Sequence, residues 1–421
     1  MFNIKPLVFV GLFLICTILH TNNRPEWFVP PPLDPTGVEL ETLEIDEGVF
    51  ALLSNTPFAD NTGFVVGENS VLVIDAHFTG EMGEQIIAAV KKVTDLPIRY
   101  LVNLNAFGDH VFGNYVFPDS TTIIAHEKTI DFLKKNSLQK RKEIISVTVG
   151  GSTELFEEVE DRLPSVSFKT KKTLDLGNKI VELHYFGPGM SPSDTVLYVP
   201  SARAAWTGNL IFGKGSIPWA RSETVSDYLK TMKKFKSKID PVTIVAGHGK
   251  ISDGSIVESY ISYLEYVLQL SKSLKKENIV IEDYVKRINI PAEYIIEDNI
   301  KDLMEGFHKW NVLNSYKQIK SSEYQSKTKK NLDKLLDSII LQAEILDLKT
   351  DYESKATGIV LESKIDVGRG PVANIIVTTG MLKKGDYFVS GLKWGKVRAI
   401  INDKGQNIND ASPSTPVEIL G

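Results

Sequence analysis

Between Leu40 and Gln325 short apolar runs alternate with segments of helical period. Gly63–Val66 and Val71–Asp75 are near-continuous apolar runs around Gly67-Glu68-Asn69, which predicts a hairpin. Glu81–Val93 spaces its apolar residues three and four apart, as a helix does. Tyr100–Asn103 and Thr121–Ala125 read as strands, and Glu127–Lys135 as a helix. Lys179–Phe186 and Thr195–Pro200 read as strands divided by Gly187-Pro188-Gly189, and Asp240–Ala246 as a strand that ends at Gly247-His248-Gly249. From Gly254 to Lys320 the pattern is helical and rich in charge. This order predicts an α/β layered fold with helices outside.

The pattern changes after the polar stretch Ser321–Lys330, which reads as a junction. Asn331–Leu348 sets Leu332, Leu335, Leu336, Ile339 and Ile340 on one side of a helix. Thr357–Ser363, Val372–Thr378, Tyr387–Ser390 and Lys393–Ile401 read as strands with Gly-rich turns, a pattern that suits a small β-barrel. At the other end, Lys5 precedes an apolar run from Pro6 to Leu19. The run is short for a bilayer span and suits the core of a signal peptide, so residues 1–24 read as a signal peptide or membrane anchor and the expected location is exported or membrane-tethered, in the periplasm. An uncleaved buried helix is the alternative. Pro30-Pro31-Pro32 and Pro35-Thr36-Gly37 read as a spacer before the fold.

Composition narrows the class. The chain has 421 residues, 42% of them hydrophobic and 24% charged, which suits two or three globular domains and excludes a disordered, collagen-like or polytopic membrane chain. A net charge of -5 argues against a general nucleic-acid binder, so no DNA partner is expected. The single cysteine, Cys16, lies in the leader, leaving the folded body without a disulfide or a thiolate metal site. No Gly-x4-Gly-Lys-Ser/Thr phosphate cradle occurs, so GTP binding is not expected.

Three strand ends carry polar loops, the usual place for chemistry. They are Asn103–His110 with Gly113-Asn114, then Gly187–Asp194 with Trp206-Thr207-Gly208-Asn209, then Ala246–Gly249. Asp109, His110 and His248 are donors of the kind zinc prefers, although an Asp-His pair also suits a capped turn.

Taken in order, Val73-Ile74-Asp75, Asp109-His110, Gly187-Pro188-Gly189 with Asp194, Thr207-Gly208-Asn209 and Gly247-His248-Gly249 resemble the metallo-β-lactamase superfamily over residues 39–322. The resemblance implies an αββα sandwich with its site at the strand ends. It also exposes departures. The family's His-x-His-x-Asp-His loop has Asn105 and Phe107 at its two leading histidine positions, the third histidine of the first metal site falls at Met190, and the bridging aspartate falls at Asn209. The resemblance therefore leaves Asp109, His110 and His248 as ligands of one zinc ion at most, with Asn209 as a neutral addition and Asp109 as the catalytic candidate. Two readings follow: slow mononuclear hydrolysis of an ester or lactam-like small molecule, or a catalytically inactive binding pseudoenzyme. Asp75 and Asp194 are expected to hold loops. His77 is a candidate for substrate contact, and His126 and His184 are expected to be structural. His308 is expected to be exposed, and Trp206 and Trp219 to pack in the core.

Residues 326–421 resemble bacterial translation initiation factor two. The matching stretches are Asp366–Ala373, Gly395–Ala399 and Pro413–Gly421. The resemblance implies the last helix of that factor's GTPase domain at 326–349, followed by its β-barrel at 350–421. It implies a ribosome contact for the barrel and does not carry over GTP hydrolysis. A ribosome-binding piece conflicts with an exported hydrolase-like domain, and a joined gene model is the simplest account. Each half is expected to fold by itself.

Overall fold

The computed structural model describes residues 25, 27–28, 33–146, 153–221, 224–319, 335 and 349–421. The predicted leader, the Ser321–Lys330 junction and, Leu335 apart, the helix expected over 331–348 lie outside the described residues. The chain divides into two compact units, Met1–Tyr324 and Gln325–Gly421.

The first unit is built on two sheets. One holds β1 (Leu40–Asp46), β2 (Val49–Ser54), β3 (Thr62–Val66), β4 (Val71–Ile74), β5 (Ile98–Asn103), β6 (Thr122–His126) and β7 (Val166–Phe168), in that order. Its first four strands form an antiparallel meander, and β4 to β7 run parallel. Parallel neighbours need crossovers. The crossover from β4 to β5 is α1 (Gly80–Val93), and that from β5 to β6 carries the short α2 (Gly108–Val111). The crossover from β6 to β7 carries α3 (Glu127–Lys135) and α4 (Leu138–Ser146). The second sheet has the order β13-β12-β11-β10-β9-β8, from β8 (Lys171–Asp175), β9 (Ile180–His184), β10 (Val196–Val199), β11 (Ala204–Trp206), β12 (Thr243–Val245) and β13 (Ser252–Asp253).

The period of two along β4 sorts its side chains. Leu72 and Ile74 enter the layer between the sheets with Val102, Leu183, Leu197 and Trp206. Val71 and Val73 face the opposite way and meet Ile86, Ile87 and Val90 of α1. The Thr79 hydroxyl caps α1 by accepting from the Met82 N–H, and Lys91 and Lys92 lie at its negative end. On the outer side of the second sheet, α5 (Val225–Lys238), α6 (Ser255–Lys276) and the helix over 301–319 cover Val196, Ala205 and Ile244. The result is the expected αββα sandwich. Among the described residues no helix is long and apolar enough to cross a membrane.

Two expectations are corrected here. The charged stretch after Gly254 is not one helical run: α6 ends at Lys276, one turn follows at Ile281–Tyr284, and 285–297 is irregular around Pro291. His308 is not exposed. Met304, Phe307, His308, Asn311 and Val312 make the buried stripe of the 301–319 helix at spacings of three and four, and His308 pairs through Nδ1 with the Tyr263 hydroxyl at 2.8 Å.

The second unit is an antiparallel, β-rich domain. It comprises β14 (Thr357–Asp366), β15 (Gly370–Thr379), β16 (Leu382–Lys383), β17 (Tyr387–Ser390), β18 (Lys393–Lys396), β19 (Ala399–Ile401), β20 (Asn407–Ile408), β21 (Asp410–Ala411) and β22 (Pro416–Leu420). Five strands pair in the order β14-β15-β22-β19-β20, and β16/β21 and β17/β18 form two further ladders. The expected strand Lys393–Ile401 is two strands, because Val397 leaves the ladder and enters the small core with Ile375, Val377, Ile400, Val417 and Ile419.

Candidate metal centre

Four loops of the first unit meet at one edge of the sandwich. The turn between β2 and β3 supplies Asp60, α2 supplies Asp109 and His110, the end of β11 leads to Asn209, and the end of β12 leads to His248. One ligand atom each from Asp60, Asp109 and His110 lie within 4.8 Å of one another, and all three residues are buried. His110 Nε2 is 3.5 Å from Asp109 Oδ2 and 3.7 Å from Asp60 Oδ1. His248 Nε2 is 3.3 Å from Asp60 Oδ1 and 3.9 Å from Asp109 Oδ2. Asn209 Nδ2 donates to Asp109 Oδ2 at 3.3 Å.

Local bonds fix these positions. The Asn61 backbone N–H donates to Gly247 O at 2.6 Å, and its Nδ2 donates to Ala246 O and Gly249 O at 3.0 and 2.8 Å. Asp60 is thereby stapled against the His248 loop. Gly247 permits the close approach, since a Cβ there would lie 2.7 Å from Asn209 Oδ1 and 2.8 Å from the Gly208 backbone. His110 donates through Nδ1 to Asp75 Oδ2 at 2.8 Å, which turns Nε2 toward the two other carboxylates. Asp75 Oδ1 accepts the Leu104 N–H at 2.7 Å. His77 donates from Nε2 to the Asp60 carbonyl at 2.7 Å, and burial pushes its pKa down to about 3, so it stays neutral. Asp75 and His77 both take left-handed backbone angles, φ 58° and 67°, a strain that non-glycine residues keep only where their surroundings impose it.

The charges are crowded. Burial, then the Asp109 charge, raises the Asp60 carboxyl well above the usual range. Burial opposes a charged His110, yet Asp75, Asp109 and Asp60 outweigh it and raise this imidazole well above its ordinary value. Burial lowers His248 to about 4, against the pull of Asp109. Both oxygens of Asp60, Oδ1 of Asp109, Nε2 of His110, Nδ1 of His248 and Oδ1 of Asn209 are buried without a hydrogen-bond partner. Buried acceptors in such number are costly unless a cation sits among them. Two carboxylates and two imidazoles at these distances are the oxygen and nitrogen donors a zinc-type ion takes, with the protons held at Asp60 and His110 given up to it on binding.

The structure thus brings Asp109, His110, His248 and Asn209 together and adds Asp60, which the sequence reading missed. Asp60 lies 49 positions before Asp109 in no recognisable spacing; the sole local sign is an Asp-Asn pair set directly before an apolar strand. Of the positions where the resemblance would place imidazoles, Phe107 and Met190 line a cavity that reaches Asp109, Asn209 and His248. Asn105 turns back so that its Oδ1 accepts the Phe107 N–H at 2.8 Å. His77 lies behind Asp60, fully buried, and is not part of the cavity lining, which corrects its reading as a substrate contact. Trp206 packs between the sheets and Trp219 in the core outside the second sheet, both as expected, and Trp219 also lines the cavity. Asp194 holds its loop through Ser191, as His126 holds α3 by capping it.

Comparison with known proteins divides the chain at the same place. The pattern of the metallo-beta-lactamase superfamily matches residues 55–270, and that of elongation factor G domain 2 matches residues 355–421. The C-terminal part is 77% identical over 99 residues to translation initiation factor IF-2 of Pelagibacter ubique, an alignment covering 24% of this chain and 14% of that protein. It is 58% identical over 99 residues to IF-2 of Cereibacter sphaeroides, covering 24% and 12%. The chain therefore spans about one seventh or less of these relatives' length. Among solved structures, the metallo-beta-lactamase from Pontibacter korlensis aligns at 17% identity and a TM-score of 0.45, covering 54% of this chain and 99% of that one. The DIM-1 metallo-beta-lactamase aligns at 17% identity and 0.43, covering 54% and 99%.

Proposed function

The chain belongs to the metallo-beta-lactamase superfamily through residues 55–270, and from that premise we propose that its first unit is a mononuclear hydrolase for an ester or lactam-like carbonyl, with one zinc ion held by Asp60, Asp109, His110 and His248. The observation that carries this reading is the convergence of Asp60, Asp109 and His110 within ligand distance, with His248 Nε2 3.3 Å from Asp60 Oδ1, beside a cavity lined by Asp109 and His248. Bound zinc supplies Lewis acidity toward a carbonyl oxygen and acidifies water. The protein's own groups do the rest. Asp75 orients His110, Asn209 holds Asp109, and Asn61 carries Asp60 to His248. Asp109 keeps Oδ1 free at the cavity floor, where it accepts a proton from an incoming water. Phe107, Met190 and Phe212 keep bulk water away from that oxygen. The test is hydrolysis of an aryl ester by the zinc-loaded chain. Activity should be slow and should vanish with chelator and in His248→Ala. Fast turnover that persists in chelator would overturn the reading.

A second reading has its own observation. Asn105, Phe107 and Met190 leave no imidazole where a second ion would sit, which favours a binding protein without catalysis. Zinc uptake without any turnover on esters or lactams would favour it. For the second unit the identity to IF-2 supports association with the ribosome, and Lys383, Lys384, Lys396 and Arg398 line one open groove suited to phosphates. Co-sedimentation of the full chain with ribosomes, weakened by salt, tests that assignment. Export or membrane tethering of the first unit belongs to the same proposal, and protease protection in intact cells tests it.

A further inference from the structure

We propose that β14 of the second unit is a dimerisation edge, which pairs antiparallel with β14 of a second copy of this chain about a two-fold axis at Ser363.

β14 ends the sheet order β14-β15-β22-β19-β20, so among the described residues no strand lies along its outer side. It is 10 residues long, holds no proline, and leaves its apolar side chains in water. Ile359, Leu361 and Ile365 are 59%, 61% and 84% exposed. A long apolar edge of this kind is a template for another strand.

The ladder shows which backbone groups point outward. The Gly421 N–H donates to the Pro371 carbonyl at 3.3 Å, so Pro371 of β15 faces β22. Residues of an inner antiparallel strand bond alternately to one neighbour and the other, so Val372 faces β14 and Ala373 faces β22 again. Ile365 and Ser363 stand opposite Pro371 and Ala373. Their own N–H and C=O groups therefore point to the open edge. A second β14 laid antiparallel with Ser363 against Ser363 exchanges two backbone bonds at the centre.

The side chains select the occupant. In that register Glu362 faces the partner's Lys364 and Lys364 faces the partner's Glu362, while Leu361 and Ile365 face each other in the same reciprocal way. Alternation puts the four charges on one face and the four apolar side chains on the other. Opposite charges and apolar pairs set directly across an antiparallel ladder stabilise it, and like charges weaken it. An axis moved to Glu362 or to Lys364 would set that residue against its own copy, so the charges fix the register at Ser363. The register against β15 shifts between Val360 and Glu362, which confines regular pairing to Leu361–Ile365. An interface this small gives a weak, reversible dimer.

The test is sedimentation equilibrium of the full chain, which should show a monomer–dimer exchange with a dissociation constant on the order of 10–100 μM. Glu362→Lys and Lys364→Glu should each weaken the dimer at least tenfold, because each sets like charges opposite one another. The double exchange Glu362→Lys with Lys364→Glu restores opposite charges and should recover the parent affinity within severalfold, which separates lost pairing from misfolding. Ser363→Cys in a Cys16→Ser background should join two chains on mild oxidation, since residues paired in this way have Cα atoms about 5.5 Å apart, within the span of a disulfide. A chain that stays monomeric at about 100 μM would overturn the proposal and leave the edge to another occupant, such as segment 331–348 or the ribosome. A dimer indifferent to the single exchanges, or a double exchange that fails to restore it, would overturn the proposal as well.

Discussion

Asp60 and His248 are separated by most of the first unit in sequence, yet Asp60 Oδ1 lies 3.3 Å from His248 Nε2. One sits on the turn of an antiparallel hairpin in the first sheet, the other at the end of a strand in the second. The sandwich therefore closes its site across both sheets, and the two residues form a short antiparallel bridge that holds the edge shut.

That closure depends on Asn61. Its backbone N–H and its Nδ2 make three bonds to the Ala246–Gly249 loop, and its Oδ1 accepts the Ser54 N–H at 3.0 Å. Asn61→Ala removes the side-chain bonds and strands two carbonyls, at a cost of about 1–3 kcal/mol. The thermal midpoint should fall, and zinc affinity should fall with it because Asp60 loses its anchor. Unchanged zinc affinity in a folded Asn61→Ala protein would show that Asp60 is not a ligand.

Asp75 should matter to the ion without touching it. Asp75→Asn keeps the shape but loses the charge that fixes the His110 ring through Nδ1. Outer carboxylates of this kind are worth roughly 10–100-fold in metal affinity. Competition with a fluorescent zinc chelator should record a loss of that order in Asp75→Asn.

His308 gives a pH dependence with a definite sign. Burial lowers its pKa from an ordinary 6.5 to about 4. Between those values the unfolded chain binds the proton and the folded chain does not, so the contribution of His308 is complete above pH 6.5 and is lost as pH falls toward 4. The full span is roughly 3 kcal/mol. His248 titrates in the same direction, so the effect is read as a difference. Urea midpoints at pH 7.5 and 4.5 should separate less in His308→Gln than in the parent chain. Equal separation would place the acid sensitivity elsewhere.

How much was legible follows from what kind of signal each residue carries. The alternation of Val71, Leu72, Val73 and Ile74 is local, so a strand buried on both faces could be read directly, and so could the helix Glu127–Lys135 to its ends. Asp109-His110 and His248 were legible because glycines and strand ends frame them. Asp60 was not, because its place beside Asp109, His110 and His248 arises only when the fold brings distant loops together, and no spacing in the chain records that. His308 was misjudged for a related reason: a polar residue in a charged segment looks exposed until the register Met304, Phe307, Asn311, Val312 shows that it shares their face. The cavity was likewise hidden, since Phe107 and Met190 look like losses until the fold turns them into a wall.

The most direct measurement is zinc stoichiometry by elemental analysis after dialysis, on the parent chain and on Asp60→Ala. Three clustered donors, Asp60, Asp109 and His110, with His248 beside them and no second set of imidazoles, predict one zinc per parent chain, and a large loss in Asp60→Ala, where one of the two carboxylates is gone. Two zinc ions per chain, none at all, or full retention of one in Asp60→Ala would contradict the account.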